Sequence, residues 1–325
     1  MNVKWKYFFA FLFIGLLVLT SFFLWASSPQ LPTSEYEKLI EYPESTRLNR
    51  QPWFSLVSYN IGYLSGMTNN KAVVKPKTLF DKNLNKVKKL FDVLQADFIA
   101  LQEIDYNSAR SYHINQQDEL SSIGYPYAAQ AINWDETYVP FPYWPPSVHF
   151  GSVLSGQSIL SKYPIIGHDR VVLERVADAP FYRDALYLDR LAQVVQVKVD
   201  TTYVVLINVH LEAFDQTTRK GQLETVLELF DQYKDEYPTI LLGDFNSQAR
   251  DPNAAIQQLI NRPDIGNAAF DDTAISNTYS AADPFKRIDY IFFTKKHIEL
   301  IDSAVINEFG DASDHLPILM RFRLK

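Results

Sequence analysis

Apolar residues follow three different rhythms along the chain. From Tyr7 to Leu24 they run on almost unbroken, as YFFAFLFIGLLVLTSFFL, 18 residues without a charge. As a helix, at about 1.5 Å rise per residue, this stretch nearly spans a hydrocarbon core of about 30 Å. Farther on, Leu79, Phe80, Leu84, Val87, Leu90, Phe91 and Leu94 recur every three or four positions with lysines opposite, the pattern of an amphipathic helix. The third rhythm is a series of short Val-, Leu- and Ile-rich blocks closed by polar turns, which read as strands. They lie at Trp53–Asn60, Asp97–Gln102, Ser158–Leu160, Leu191–Val199, Tyr203–Val209, Thr239–Leu242, Ile288–Phe293 and Pro317–Phe322. Further helices are expected at about Thr217–Gln232 and Asn253–Asn261, and no internal repeat is visible. Two sheets packed face to face, with helices outside, fit this order.

Lys4 and Lys6 precede the apolar run, and Glu35 and Glu37 are the first charges after it. The positive-inside rule keeps the lysines cytoplasmic and sends the rest of the chain across the membrane. Residues 1–26 therefore read as an uncleaved signal anchor. A cleaved secretory signal is the rival, since the lysines make a basic start. The apolar run is longer than usual for that role, however, and Leu24, Trp25 and Pro29 spoil cuts after Ala26 or Ser28. The stretch 27–51, rich in Pro, Ser and Glu, reads as a tether, and 52–325 as a single alternating α/β domain. The expected location is the cell membrane, single-pass, with this domain extracytoplasmic; secretion after cleavage is the alternative.

Composition narrows the chemistry. The 325 residues contain no cysteine, which excludes disulfides, thiolate metal sites and a cysteine nucleophile. Any metal must rest on oxygen or imidazole, which suits magnesium, calcium or manganese. Only 11 glycines, none in a rich run, count against a phosphate-cradling loop. A net charge of −7 argues against a broad grip on duplex nucleic acid. The segment Trp134–Phe150, WDETYVPFPYWPPSVHF, concentrates aromatics and proline; it reads as a rigid packed loop or as an apolar lip that touches lipid. His149 within it has at most a thin claim to reach a pocket.

The reactive residue types stand at strand ends. Asn60 closes the first block, Glu103 the second and His210 a later one. Asp244 and Asn246 follow Ile240-Leu-Leu-Gly243, Asp289 opens Asp-Tyr-Ile-Phe, and Asp314-His315 precede the last block. Alone, each is an ordinary turn former, helix cap or packed histidine, and Asp105 reads as a solvated loop carboxylate. Together they offer carboxylates for a divalent metal, amides and imidazoles for phosphoryl oxygens, and a group to orient water.

In order, SYNIG, LQEID, NVHLE, GDFN, RIDYIF and SDHLP resemble the motifs of the endonuclease/exonuclease/phosphatase superfamily, from about Phe54 to Arg323. The resemblance implies a four-layered α/β sandwich, two packed mixed β-sheets flanked by helices, and Mg²⁺-dependent cleavage of phosphoester bonds, with Mn²⁺ as a substitute. It implies Glu103, Asn60 and Asp314 as the metal side, Asp244 to activate water and Asn246 to hold the phosphate. His315, fixed by Asp289, would bind and protonate a phosphoryl oxygen, and His210 would assist the leaving group. Where some members carry an acid two positions after the Asn60 equivalent, this chain has Gly62. Arg110 resembles an arginine that some bacterial members place after the Glu motif. It reads as a phosphate contact or a surface salt bridge, and Arg190 carries the same two readings. A lipid head group or small phosphoester is the favoured substrate for a monomer held at the membrane. A surface nuclease and a non-catalytic binding module follow in that order; Lys71, Lys75, Lys77, Lys82, Lys86, Lys88 and Lys89 are the dense basic run a nuclease would use.

Overall fold

All eight apolar blocks form strands in the computed structural model, which describes residues 3–43, 46, 48, 51–270, 277–308 and 310–325. The elements are α1 (Val3–Ala26), β1 (Glu37–Glu41), β2 (Phe54–Asn60), α2 (Lys77–Leu94), β3 (Phe98–Asp105) and α3 (Gln116–Ser121). Then come β4 (Tyr127–Val139), β5 (Gly151–Ser161), β6 (Ile165–Val172), α4 (Phe181–Asp184), β7 (Leu191–Val199), β8 (Thr202–His210) and α5 (Gln216–Tyr233). The chain ends with β9 (Thr239–Asp244), α6 (Gln257–Ile260), β10 (Ile265–Asn267), β11 (Asp289–Thr294), β12 (Ile298–Val305) and β13 (Ile318–Leu324). One mixed sheet has the order β1-β4-β5-β3-β2-β13-β12, and the other β10-β11-β9-β8-β7-β6.

The layers follow from side-chain alternation. Successive residues of a strand point to opposite faces, so each central strand serves two cores. Leu56, Phe98, Ile159, Val195, Leu206, Leu242, Ile291 and Met320 fill the space between the sheets. Their neighbours Val57, Ile99 and Leu101 pack outward with Phe80, Val87 and Leu90 of α2. On the far side Ile207, Leu241 and Phe292 pack with Leu223, Val226 and Phe230 of α5. The result is the four-layered α/β sandwich, helix on sheet on sheet on helix.

The inter-sheet layer is apolar only at one end. Moving along the same phase, Leu56 gives way to Ser58 and Asn60, Leu206 to Asn208 and His210, Leu242 to Asp244, and Ile291 to Asp289. Beneath these residues a polar seam joins the sheets. Gln102 Nε2 donates to Asn208 Oδ1 at 2.7 Å, and Asn208 Nδ2 donates to the Leu101 carbonyl at 3.1 Å. Gln157 Nε2 donates to the Asn208 carbonyl at 2.9 Å, and Gln193 Nε2 to that of Ala129 at 2.9 Å.

Several expectations need correcting. Residues 37–41, inside the stretch read as a tether, form an edge strand antiparallel to β4. Tyr127–Val139 continues β4 through Trp134, so the aromatic connection is confined to residues 140–150. Helical structure near 253–261 is limited to Gln257–Ile260. β6 and β12 do not announce themselves as apolar blocks, because His168, Asp169 and Arg170 interrupt one and Glu299, Asp302 and Ser303 the other.

Candidate active site

The C-terminal ends of β2, β3, β8 and β9 meet the N-terminal ends of β11 and β13 at one edge of the sandwich. Asn60, His210, Asp244 and Asp289 arrive there by alternation alone. Glu103 does not, because a regular strand would give it the outward face of Leu101. The β3–β5 register shifts between Leu101 and Ile104, and Glu103 has a φ of 51°. This bulge, in a left-handed conformation that costs on the order of 1–3 kcal/mol, turns Glu103 inward to Asn60.

There Asn60 Nδ2 lies 3.3 Å from Glu103 Oε1 and 3.1 Å from Asp244 Oδ2. Asn69 Nδ2 donates to Glu103 Oε2 at 3.0 Å and lies 3.3 Å from Asp314 Oδ1. The Gly62 N–H donates to Asn60 Oδ1 at 3.0 Å. Gly62 itself has a φ of 51°, and a Cβ there would lie 2.8 Å from Asp314 Oδ1. Asp314 thus occupies the space next to the position where other chains place an acid.

Asp289 and His315 form a buried pair, with Oδ2 3.0 Å from Nδ1. Ser313 Oγ donates to the Asn60 carbonyl at 2.7 Å and accepts the His315 N–H at 3.1 Å, tying the two sides together. The Tyr279 ring stands edge-on to His315, 5.0 Å between centroids. His315 Nε2 is 3.8 Å and His210 Nε2 3.6 Å from Asp244 Oδ2, so this carboxylate lies between two imidazoles. His210 Nε2 also lies 3.8 Å from Glu103 Oε1, while its buried Nδ1 has no partner. The Asn246 N–H donates to Asp244 Oδ1 at 2.9 Å, and its side-chain Nδ2 donates one of its two hydrogens to the Leu211 carbonyl at 3.0 Å. Asn60, Glu103, His210, Asp244, Asn246, Asp289, Asp314 and His315 therefore form one contiguous cluster.

Its electrostatics are sharply divided. Burial alone depresses the His315 imidazolium, but the carboxylates of Asp289, Asp244 and Asp314, Asp289 foremost, together outweigh it and raise the pKa to about 10. Burial, then Arg190 and His315, push His210 far down, so it is neutral. Burial raises Glu103, with Asp314 adding repulsion. Burial and Asp289 raise Asp244 to about 7, against the pull of His315. Glu103 and Asp314 are thus bridged by the Asn69 amide, with Asn60 on the other side of Glu103, an oxygen donor set whose repulsion a divalent cation would relieve. Asp244, Asp289 and His315 also offer donor atoms within 4.8 Å of one another. That trio suits a metal less well, since His315 Nδ1 is committed to Asp289 and the ring is cationic.

Four residues sit differently from their sequence readings. Asp105 is fully buried, and Arg110 meets it at 2.8 Å with its guanidinium 3.4 Å from the centroid of the Tyr63 ring. Arg110 is thus part of a buried ion pair and not a surface bridge, and its Nη1 has no hydrogen-bond partner. Arg190 is likewise buried, between Glu212 and the Tyr187 hydroxyl. His149 bonds the Tyr138 hydroxyl at 2.8 Å, outside this set. Asn69 and Tyr279 join this cluster but carry no mark in the sequence, and Ser313 is marked only as the first residue of SDHLP.

A family profile described as the Endonuclease/Exonuclease/phosphatase family matches residues 57–315. The chain belongs to this family. Endonuclease/exonuclease/phosphatase enzymes hydrolyse phosphoester bonds and generally use a divalent metal. Among solved structures, the chain is similar to the endonuclease/exonuclease/phosphatase from Beutenbergia cavernae DSM 12333, at 22% identity, with 84% of this chain and 72% of that one covered and a TM-score of 0.64. ANGEL2, a 2',3'-cyclic phosphatase, aligns at 16% identity over 88% of this chain and 97% of its own, TM-score 0.60. The Bacteroides thetaiotaomicron VPI-5482 mannosyl-6-phosphatase aligns at 16% over 84% and 99%, TM-score 0.58. At these identities the likeness is one of fold. No curated protein matches the chain.

Proposed function

We propose that the protein is a Mg²⁺-dependent phosphodiesterase or phosphatase, with Mn²⁺ as a substitute, that acts on a lipid head group or small phosphoester at a membrane surface. The observation that carries the reading is the placement of the Asp289–His315 pair and Asp244 beside the Asn60–Glu103 corner. An imidazolium and a carboxylate base thereby face one small volume lined by acids. Glu103, Asp314 and the Asn60 side-chain oxygen are the groups that would hold the ion. When bound, it supplies charge neutralisation at phosphoryl oxygens and acidifies water.

The chain's own residues do the rest. Asp244, held by the Asn246 N–H and Asn60, accepts the proton of the attacking water. His315 donates from Nε2 to a phosphoryl oxygen, and Asp289 keeps that ring charged and aligned. The second Nδ2 hydrogen of Asn246 is free to bind another oxygen. His210, being neutral, donates a hydrogen bond to the departing oxygen.

α1 contains the 23-residue candidate span Lys4–Ala26 and is the candidate anchor or signal sequence; Lys4 and Lys6 at its start favour an extracytoplasmic catalytic domain. The nuclease reading has less support, since α2 lies on the outer layer and its lysines engage acids, Lys77 with Asp81, Lys86 with Asp311 and Lys88 with Glu119. A non-catalytic module has no use for the complete set of reactive residues. The test is a Mg²⁺-dependent panel of bis-p-nitrophenyl phosphate, sphingomyelin, phosphoinositides and DNA against a Glu103→Ala control. Phosphoester cleavage that requires both the ion and Glu103 is expected; full activity in excess chelator would reject the reading.

A further inference from the structure

The apolar helix does not hang from the domain on a loose string. Directly after α1, the Thr137 N–H donates to the Ser28 carbonyl at 3.0 Å and the Thr137 hydroxyl to the same oxygen at 2.8 Å. The buried Asp135 carboxylate then takes the Gln30 N–H and the Leu31 N–H, each at 2.9 Å, and the Tyr36 hydroxyl at 3.0 Å. The last turns of the helix pack on the domain as well. Trp25 stacks on Tyr138 at 5.9 Å, Phe22 meets the same ring at 5.9 Å, and Phe23 meets Phe181 at 5.7 Å. Ala26 is buried at the joint.

The place of attachment fixes an orientation. Val139 and Gly151, which flank the connection 140–150, lie beyond Asp105 at the same edge as Glu103. The connections 173–190 and 211–215 leave that edge too, because Leu191 pairs with His210. Each carries exposed aromatics: Tyr143 and Trp144 on the first, Phe181 and Tyr182 on the second, Phe214 on the third, between 58% and 77% exposed. A hydrocarbon core of about 30 Å takes up about 20 helical residues. With Lys4 and Lys6 at one interface, the turn Phe22–Ala26 reaches the other. Tyr138 and Phe181, which touch that turn, therefore sit at head-group depth, where tyrosine and tryptophan are favoured.

We propose that this joint clamps the site edge of the domain against the bilayer its own helix occupies, with Tyr143, Trp144, Phe181, Tyr182 and Phe214 as a rim in the head-group layer, so that the phosphoester presented to the pocket is a lipid head group. The substrate part rests on the hydrolase reading above; the orientation does not.

Because the chain lacks cysteine, single cysteines can be placed freely. The full chain is reconstituted in phosphatidylcholine nanodiscs containing head-group nitroxide lipid, with a fluorescent label at Trp144→Cys, Phe181→Cys or Phe214→Cys. A label at Thr201→Cys, in the exposed β7–β8 turn at the opposite end of the sheets, is the control. Quenching at least about threefold stronger at the rim labels is expected; equal quenching would overturn the orientation. In the pair Trp144→Ser with Phe214→Ser, turnover of bis-p-nitrophenyl phosphate should stay within about twofold while turnover of a bilayer-embedded phospholipid falls by about tenfold or more. Equal losses on both substrates would reject the rim as the lipid contact. Rim quenching in a protein that hydrolyses no phosphoester would instead sink the hydrolase reading and leave the orientation standing.

Discussion

Asp289 stands directly behind His315, its Oδ2 3.0 Å from Nδ1, so the ring offers only Nε2 to the pocket. The carboxylate thereby sets both the charge and the aim of the imidazole. Asp289→Asn and His315→Ala are each expected to cut turnover by about 10²-fold or more, and the double variant to lose far less than the product. Since Asp289 is the foremost of the carboxylates that raise His315 to about 10, Asp289→Asn should also pull the alkaline limb of the pH–rate profile downward. Independent, multiplicative losses with an unmoved limb would show that the two residues do not act as a unit.

Asn69 holds Glu103 and Asp314 with one amide nitrogen, so its role is to position the acids. Asn69→Ala should weaken Mg²⁺ or Mn²⁺ binding by about 10-fold or more in titration calorimetry, as loss of an outer partner usually does. Glu103→Ala should abolish that binding. Unchanged affinity in Glu103→Ala would place the ion elsewhere in the pocket.

The same acids couple the cation to pH. Burial raises the folded-state pKa of Glu103, and that of Asp244 to about 7, so the folded domain retains protons that the unfolded chain has released. The stability these groups contribute is present in full below their unfolded values of about 4 and is lost as pH rises through their raised folded values, about 7 for Asp244. A divalent ion competes with those protons. The rise in Tm on adding Mg²⁺ is expected to be larger at about pH 8 than at about pH 5. A larger rise at the acid end would contradict the assignment of the carboxylates.

Where alternation alone decides a position, the sequence was a good guide. Asn60, His210, Asp244 and Asp289 continue an apolar phase to its polar end, so both their strands and their convergence were legible. Glu103 was legible as a motif only, since its inward aim depends on a bulge that no local pattern announces. Asn69 and Tyr279 come from irregular chain whose path is set by tertiary contacts, such as the Leu316 N–H to Thr278 carbonyl bond at 2.8 Å. Asp105 was misread for the same reason: its partner Arg110 reaches it through a turn closed by the left-handed Tyr112 and His113.

Arg110 offers a clean contrast between structural and substrate roles. Removing one partner of a buried ion pair typically costs about 3–5 kcal/mol. Arg110→Met should therefore lower the stability measured by urea unfolding by that order and leave KM for a water-soluble diester nearly unchanged. A stable variant with a strongly raised KM would restore Arg110 as a substrate contact.

The pocket is shared between two sheets that, among the described residues, no strand joins. Asn60, Glu103, Asp314 and His315 ride with one, His210, Asp244, Asn246 and Asp289 with the other. An apolar layer holds such plates together but lets them slide, because oil-like contacts have no direction. The Gln102–Asn208–Gln157 bonds do have direction, and they cross the gap just below the reactive groups. They work as a dowel between the plates. Asn208→Leu, which keeps the bulk and strips out the bonds, should accordingly blunt turnover out of proportion to the roughly 1–3 kcal/mol of stability it removes.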